Sequence, residues 1–274
     1  MYDDEGGALP PLPSGGGLRS RLGYHFEGLI PLILIILIGV VAAGWLGIID
    51  LPFITPGGPV NMLVIGTPSS GTIAILEEDK DLVQYSQRSA SSLRASPNET
   101  LAQYNIVMLD QSNQSDKTLP RQVGEALRNY VKKGGKLIVV GNSGIYRKDS
   151  PGIIGWKANL GDVVPVECVR DKDGIPSCTK QISVTGELWR VDFDHPIMEG
   201  IEVIPADPKM SKISFKTFEV AAVGNEIAFI QNVRKADYYT GVVEKRLLLG
   251  KCVYFNYDPA LTRGVFEKTI EYLR

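Results

Sequence analysis

The sequence predicts an α/β fold: a parallel sheet covered by helices on both faces, with extra C-terminal strands and one transmembrane helix in front. Three observations lead to this prediction. After residue 59, short apolar runs that end in turns alternate with amphipathic helices. The second half of the chain is richer in strand patterns. Ahead of both, 21 consecutive residues carry no charge, which is enough to span a bilayer.

Four parts are predicted along the chain. Residues 1–24 are rich in Gly and Pro and are expected to form a disordered cytoplasmic tail. Residues 25–50 include the uncharged run Leu29–Ile49 and are expected to form the transmembrane helix. Residues 51–59 form a Pro-containing linker, and residues 60–274 form the α/β domain.

Two other interpretations of the apolar run fit it less well. A cleaved secretory signal peptide would end near Ala43, but the run continues through Trp45 to Ile49. A type IV pilin-like leader would have Glu27 ahead of the run, one position from the usual one. The domain that follows does not resemble a pilin.

Flanking charges predict the orientation of the membrane helix. Arg19 and Arg21 precede the run, and no Lys or Arg follows it until Lys80. By the positive-inside rule, the tail stays in the cytoplasm and the domain lies outside the cell membrane. The N-glycosylation sequons at Asn98 and Asn113 agree with this location.

Cys168 and Cys178 flank an Asp173–Gly174 turn. This spacing suits a hairpin closed by a disulfide in an oxidising compartment, and two free thiols are the alternative.

Small residues within the apolar run suggest a partner. Gly39, Ala43 and Gly47 recur at every fourth position, so they share one helix face and would allow close packing against a membrane protein or a second copy. The alternative is that Gly and Ala are simply common in membrane helices. A net charge of −2 with interspersed charges gives no basic footprint for nucleic acid.

The elements of the domain follow from apolar patterning and turn residues. Predicted strands are Val60–Ile65, Leu82–Gln87, Tyr104–Asp110, Lys136–Val140, Asp162–Val169, Phe218–Val223, Glu226–Val233, Tyr239–Val243 and Lys251–Tyr257. Predicted helices are Thr72–Lys80, a helix capped by Thr118 that runs to Lys133, and Gly264–Leu273.

Several of these segments resemble one family. The strand Tyr104–Asp110, the strand Lys136–Val140, the Asp-His-Pro-Ile motif within Val191–Gly200, and the closing strand Gly250–Asp258 are similar to the class I glutamine amidotransferase-like fold. They are most similar to its trehalose-utilisation-like and other non-amidotransferase branches. This resemblance implies a flavodoxin-like, three-layer parallel sheet across nearly the whole domain. Non-catalytic domains of this fold occur in one component of oligosaccharyltransferase and in membrane transport systems.

The catalytic triad of that family does not carry over to this sequence. Family enzymes place a cysteine in a sharp turn after a strand, with a distant His-x-Glu pair. Here Ser143 stands at about that place, and the only histidines are His25 and His195. A hydrolase alternative would pair Ser143 with His195, oriented by Asp192 or Asp194. The competing interpretation of His195 is a structural turn before Pro196.

Candidate ligand-binding residues follow the predicted parallel strands, because ligands of this architecture bind at the carboxyl ends of strands. They are Thr67, Ser69, Ser70, Asp110, Ser112, Asn142 and Ser143. The segment Gly66–Gly71 could hold an anion at a helix N-terminus, although it lacks the lysine of a P-loop. Neither a metal nor a cofactor is predicted, since two histidines and scattered carboxylates offer no ligand spacing.

The leading hypothesis for function is a non-catalytic module at the outer membrane surface, acting as an accessory subunit or as a ligand- or partner-binding domain. The alternatives are a membrane-tethered hydrolase that uses Ser143 and His195 on a glycan or envelope substrate, and a subunit of a transport system.

Overall fold

The structure is a computed structural model that describes residues 31–42 and 58–274, except residues 151, 171, 173 and 208. The chain divides into two compact units, Met1–Thr55 and Pro56–Arg274. In the first unit, residues 31–42 form helix α1. The second unit holds the α/β domain.

The domain consists of strands and helices that alternate in its first half and of strands in most of its second half. The strands are β1 Val60–Gly66, β2 Val83–Arg88, β3 Ile106–Asp110, β4 Thr118–Leu119, β5 Lys136–Val140, β6 Tyr146–Arg147, β7 Val166–Cys168, β8 Gln181–Arg190, β9 Val203–Ile204, β10 Ile213–Phe218, β11 Val220–Ala222, β12 Asn225–Asn232, β13 Tyr238–Arg246 and β14 Lys251–Phe255. The helices are α2 Ser70–Glu78, α3 Pro97–Leu101, α4 Arg121–Lys132, α5 Trp156–Leu160 and α6 Arg263–Leu273.

One ten-stranded sheet organises the domain. Its strands lie in the order β10-β8-β12-β13-β14-β5-β3-β1-β2, and β9 pairs with β8. The strands from β14 to β2 pair in parallel, and those from β10 to β14 pair antiparallel. β14 therefore joins the two halves, pairing in parallel with β5 and antiparallel with β13.

Connection length explains the two pairing modes. Helix α2 connects β1 to β2, and α4 precedes β5, as parallel neighbours require long crossovers. Between β12 and β13 only residues 233–237 intervene, so the chain turns back on itself and the strands pair antiparallel.

Two apolar cores lie on opposite faces of the sheet, because successive strand side chains point to opposite sides. Val64 of β1 belongs to the core that also contains residues of α2 and α6. The next residue, Ile65, belongs to the core that contains residues of α4 and α5. The predicted apolar stripe of α4 is confirmed by Val123, Leu127 and Val131, which are all buried.

The predicted flavodoxin-like, three-layer parallel sheet behind a transmembrane helix is wrong. The sheet is mixed, since more than half of its strand pairings are antiparallel. The prediction missed β8 and β10, which build much of the antiparallel part. Gly186 interrupts the apolar pattern of β8, yet the strand requires it, because a Cβ there would lie 2.0 Å from the Gln231 carbonyl oxygen.

The membrane predictions also need correction. Among the described residues, no helix combines the length and the apolar character needed to cross a membrane. This finding contradicts the predicted transmembrane helix over residues 25–50 and the single-pass location at the cell membrane that was built on it. Helix α1 covers only residues 31–42, whereas a crossing takes about 20 residues.

Other N-terminal predictions fall mainly on undescribed residues. The tail at 1–24, most of the linker, and two of the three small residues, Ala43 and Gly47, lie outside the described residues. Gly39 lies within α1, where an added Cβ would have nothing within 4 Å.

The predicted disulfide is confirmed. Cys168, at the end of β7, is bonded to Cys178, and their Cα atoms are 5.2 Å apart. Cys178 is fully buried in the 3-10 turn Ser177–Thr179, which leads directly into β8. The bond thus fixes the segment that begins the antiparallel half of the sheet.

Reduction of this disulfide should lower the free energy of unfolding by about 2–4 kcal/mol, because the bond restricts the unfolded chain. The measurement is urea unfolding with and without reductant. A double variant, Cys168→Ser with Cys178→Ser, serves as control and should not respond to reductant. Equal unfolding midpoints for the oxidised and reduced wild type would contradict a stabilising role.

Candidate functional site

The carboxyl ends of β1 and β3 lie where the order of the parallel strands reverses, since β2 and β3 flank β1 on opposite sides. Ligands of open α/β sheets commonly bind in a crevice at such a point. Here the loop after β3 closes the crevice. The backbone N–H of Asn113 donates to the Thr67 carbonyl oxygen (3.1 Å), and its Nδ2 donates to that of Pro68 (2.9 Å). Gln114 Nε2 donates to Thr67 Oγ1 (3.0 Å).

A cleft of about 400 Å³ opens beside this loop, over the carboxyl ends of β5 and β14, and we term it the strand-end cleft. It is lined by Ser69, Ser112, Asn113, Gln114, Ser115, Lys117, Val140, Gly141, Asn142, Thr179, Gln181, Lys216, Phe218, Tyr257 and Asp258. Hydroxyl and amide side chains predominate. Three of the ligand-binding residues predicted from sequence lie here: Ser69, Ser112 and Asn142.

Asn256 holds one wall of the cleft in place. Its side chain is fully buried at the end of β14. Its Oδ1 accepts the N–H of Phe218 (3.1 Å) and the hydroxyl of Tyr254 (2.9 Å). Its Nδ2 donates to the carbonyl oxygens of Phe218 (2.7 Å) and Thr240 (2.8 Å). This one amide therefore ties the end of β10 to the last parallel strand.

The N-terminus of α2, where the sequence suggested an anion site, already faces a carboxylate of the chain itself. Ser69 caps the helix by accepting the N–H of Thr72 (3.0 Å). The hydroxyls of Ser69 and Thr72 each donate to Asp258 Oδ1 at 2.9 Å. Because Asp258 provides the negative charge that a helix N-terminus favours, this end of α2 needs no external anion.

Asp110 lies beneath the cleft as a buried acid. Its Oδ1 accepts the N–H of Ser112 (2.8 Å), and its Oδ2 has no hydrogen-bond partner among the described residues. Burial raises the pKa of Asp110 to about 6, although the bonds to Ser112 act to lower it. Lys117 donates to the carbonyl oxygens of Gln111 and Ser112, and burial lowers the pKa of its ammonium group.

The raised pKa of Asp110 predicts a pH dependence of stability. The folded chain binds this proton more tightly than the unfolded chain does, since the ordinary pKa is 3.8. The free energy of unfolding should therefore fall between about pH 4 and pH 6, by on the order of 2–3 kcal/mol from this group. Urea unfolding of wild type and Asp110→Asn across that range tests this. The difference between the two proteins should change with pH, and a constant difference would refute the assignment.

Ser143 is a packed residue and not an exposed nucleophile. It follows Gly141 and precedes Gly144, which both have positive φ (54° and 73°). Its side chain is 1% exposed, and its Oγ accepts the backbone N–H of Gln111 (2.8 Å). Trp156 Nε1 donates to its carbonyl oxygen (2.9 Å). A nucleophile elbow presents its side chain at a strained turn, whereas no described non-glycine residue has positive φ.

His195 is also buried, and both of its ring nitrogens have structural partners. Nδ1 accepts the N–H of Ile197 (3.2 Å), so Nε2 carries the proton and donates to Glu244 Oε2 (3.1 Å). Burial acts to raise the pKa of Glu244, but the hydrogen bonds from His195 and Tyr272 and the charge of Arg246 lower it overall. Nothing in the sequence indicated Glu244 as a partner.

Neither candidate aspartate orients the imidazole. Asp192 accepts the N–H of Asp194 (3.1 Å) and the Nδ2 of Asn225 (2.7 Å). Asp194 is exposed.

The structure does not bring Ser143 and His195 together. Ile197, beside His195, belongs to the core on the face covered by α2 and α6. Trp156, which contacts Ser143, belongs to the core on the opposite face. The sheet lies between them, and a serine nucleophile needs its base within hydrogen-bond reach.

Replacement of Ser143 by alanine tests its packing role. The change leaves the buried N–H of Gln111 without an acceptor, so Ser143→Ala should lower the free energy of unfolding by about 1–3 kcal/mol. Ser214→Ala, at an exposed position of β10, is the matched control and should change stability little. Urea unfolding measures both. If Ser143→Ala were as stable as the control, the hydrogen bond would have no structural importance.

The other predicted site residues are spread over the surface. Thr67 and Ser70 are exposed and do not line the strand-end cleft. Asn98 is exposed on α3, and the Asn113 amide is engaged by Pro68, so glycosylation at both positions stays a prediction. Partners of the chain also stay a prediction.

The sequence did not predict the cleft residues supplied by the antiparallel half. Thr179, Gln181, Lys216 and Phe218 reach the cleft because β8 and β10 pair with each other at the sheet edge. Lys216 lies between Phe215 and Thr217, which are both buried, so its strand pattern was readable, but its neighbours in space were not.

Comparison with known proteins gives no family. No family model matches the chain, and no curated protein matches it.

Solved structures give weak similarities. A β-galactosidase from Bacillus circulans sp. alkalophilus has a TM-score of 0.49 at 14% identity, covering 77% of this chain and 30% of its own. A GMP synthase component from Thermoplasma acidophilum, which is glutamine amidotransferase-like, has a TM-score of 0.42 at 10% identity, covering 78% and 94%. Agd3, a carbohydrate deacetylase, has a TM-score of 0.42 at 10% identity, covering 79% and 33%.

This chain therefore spans about a third of the length of the glycosidase and deacetylase chains. All three TM-scores are below 0.5, so these similarities decide neither the fold nor an activity. The described residues form an open sheet and no barrel.

Proposed function

We propose that the chain is a non-catalytic binding module of the glutamine amidotransferase-like type, which takes a small hydroxyl-rich ligand in the strand-end cleft. The observation that carries the proposal is the position of this cleft. It lies over the carboxyl ends of the parallel strands, where ligands of open α/β sheets bind, and is lined mainly by hydroxyl and amide groups.

The chemistry of the lining favours an uncharged polar ligand. Asn142, Gln181 and Thr179 offer both donors and acceptors, which suit ligand hydroxyl groups. Phe218 adds an aromatic ring to the same wall. A volume of about 400 Å³ lies within the range of small-molecule sites, which is roughly 300–1,000 Å³. A monosaccharide or disaccharide has these properties.

The lack of a nucleophile supports binding over turnover. Ser143 is closed off by Gln111 and Trp156, and His195 is engaged by Glu244 on the other face of the sheet. Of the charged residues on the cleft wall, Asp258 is bound by Ser69 and Thr72. The cleft thus offers hydrogen bonds to a ligand without an activated nucleophile.

The proposal is tested by ligand-observed NMR on the full chain with a panel of neutral monosaccharides and disaccharides at millimolar concentration. We expect at least one to bind. Asn142→Ala and Lys216→Ala should each weaken that binding by about 2- to 10-fold, the effect of one lost hydrogen bond.

Lys235→Ala is the matched control, because Lys235 is exposed in the turn between β12 and β13, away from the cleft. Its affinity should equal that of wild type. The proposal fails if no sugar of the panel binds, or if binding is the same in all three variants.

A further inference from the structure

A second and larger cleft, of about 820 Å³, opens on the other side of the loop after β3. We term it the basic cleft. The segment after β2 provides Ser89, Ser91 and Arg94, and the strand β6 with the residue after it provides Arg147 and Lys148. Three cationic side chains therefore converge from two walls, although the chain as a whole has a net charge of −2.

Two of these three cations are available to a ligand. Arg147 is held by Asp149, with Nε 2.9 Å from Oδ1 and Nη2 2.6 Å from Oδ2. Arg94 and Lys148 are exposed and have no hydrogen bond or ion pair within the described part of the chain.

The carboxylate on the cleft wall is already engaged. Asp116 accepts the backbone N–H of Thr118 (2.8 Å). This hydrogen bond is the main reason that the pKa of Asp116 is lowered, and the charge of Lys148 contributes. The basic cleft therefore keeps a local excess of positive charge.

We propose that the basic cleft binds a phosphate ester of a small hydroxyl-rich molecule. Arg94 and Lys148 meet the phosphate, since charge-assisted hydrogen bonds to phosphate are the strong ones. The hydroxyls of Ser89 and Ser91, whose Oγ atoms are 3.0 Å apart, and the ring of Tyr146 line the rest of the cleft and face the body of the ligand. A cleft of this size has room for more than an inorganic phosphate.

The beginning of α4 adds to the positive potential. Pro120 lies on the wall of the cleft and is the N-cap residue of the helix. It provides no side-chain cap, and the first turn contains no acidic residue. The partial positive charge of the helix N-terminus is therefore not neutralised by the helix itself.

Isothermal titration of the full chain with glucose 6-phosphate, glucose and inorganic phosphate tests this inference. Glucose 6-phosphate should bind more tightly than either of the other two. The double variant Arg94→Ala with Lys148→Ala should weaken its binding by about tenfold or more. Raising the salt from low to high concentration should weaken the wild-type affinity, because ions screen exposed charges.

The matched control is Arg234→Ala with Lys235→Ala, which removes the same two charges from an exposed turn. It should bind as wild type does. The inference is overturned if glucose 6-phosphate does not bind, or if both double variants bind it equally. It is also overturned if Asn142→Ala weakens that binding and Arg94→Ala with Lys148→Ala does not, because the ligand would then lie in the strand-end cleft. The two clefts share a loop but not these residues, so either proposal can fail alone.

Discussion

The buried amide of Asn256 is the interaction on which the architecture of the site depends. A fully buried amide must be satisfied, and Asn256 is satisfied by groups from β10, β13 and β14. The end of β10 is distant in the sheet order from β14, yet this side chain holds the two together. Phe218 is thereby placed against the carboxyl end of the parallel strands, and the sheet acquires a cleft that its parallel half alone would not form.

A second constraint divides the ligand-accessible surface. The loop after β3 is hydrogen-bonded to Thr67 and Pro68, so the usual crevice between β1 and β3 is filled by the chain itself. Space remains on both sides of that loop, and the two sides differ in chemistry. One is lined mainly by hydroxyl and amide groups, and the other has exposed cations, Arg94 and Lys148, that no described residue pairs. A single short loop thus separates two sites with different ligand preferences.

The predictions from sequence succeeded where the evidence was local. The strand β3, the helix α4 with its buried Val123 and Leu127, and the Cys168–Cys178 bond each follow from patterns within a short segment. The transmembrane helix was also predicted from a local pattern, and the described residues contradict it. The pairing of Ser143 with His195 had no local basis. A sequence does not state on which face of a sheet two distant residues lie, and these two lie on opposite faces.

The sequence by itself determined which segments form strands and helices in the first half of the domain, and which polar residues follow the parallel strands. Periodicity and turn residues are properties of neighbouring positions, so they can be recognised without the fold. Only the tertiary structure decided that β8 and β10 extend the same sheet, that Asp258 faces α2, and that Asp110 is buried. These outcomes depend on burial and hydrogen bonding between residues far apart in the chain, and such contacts exist only after the sheet has formed.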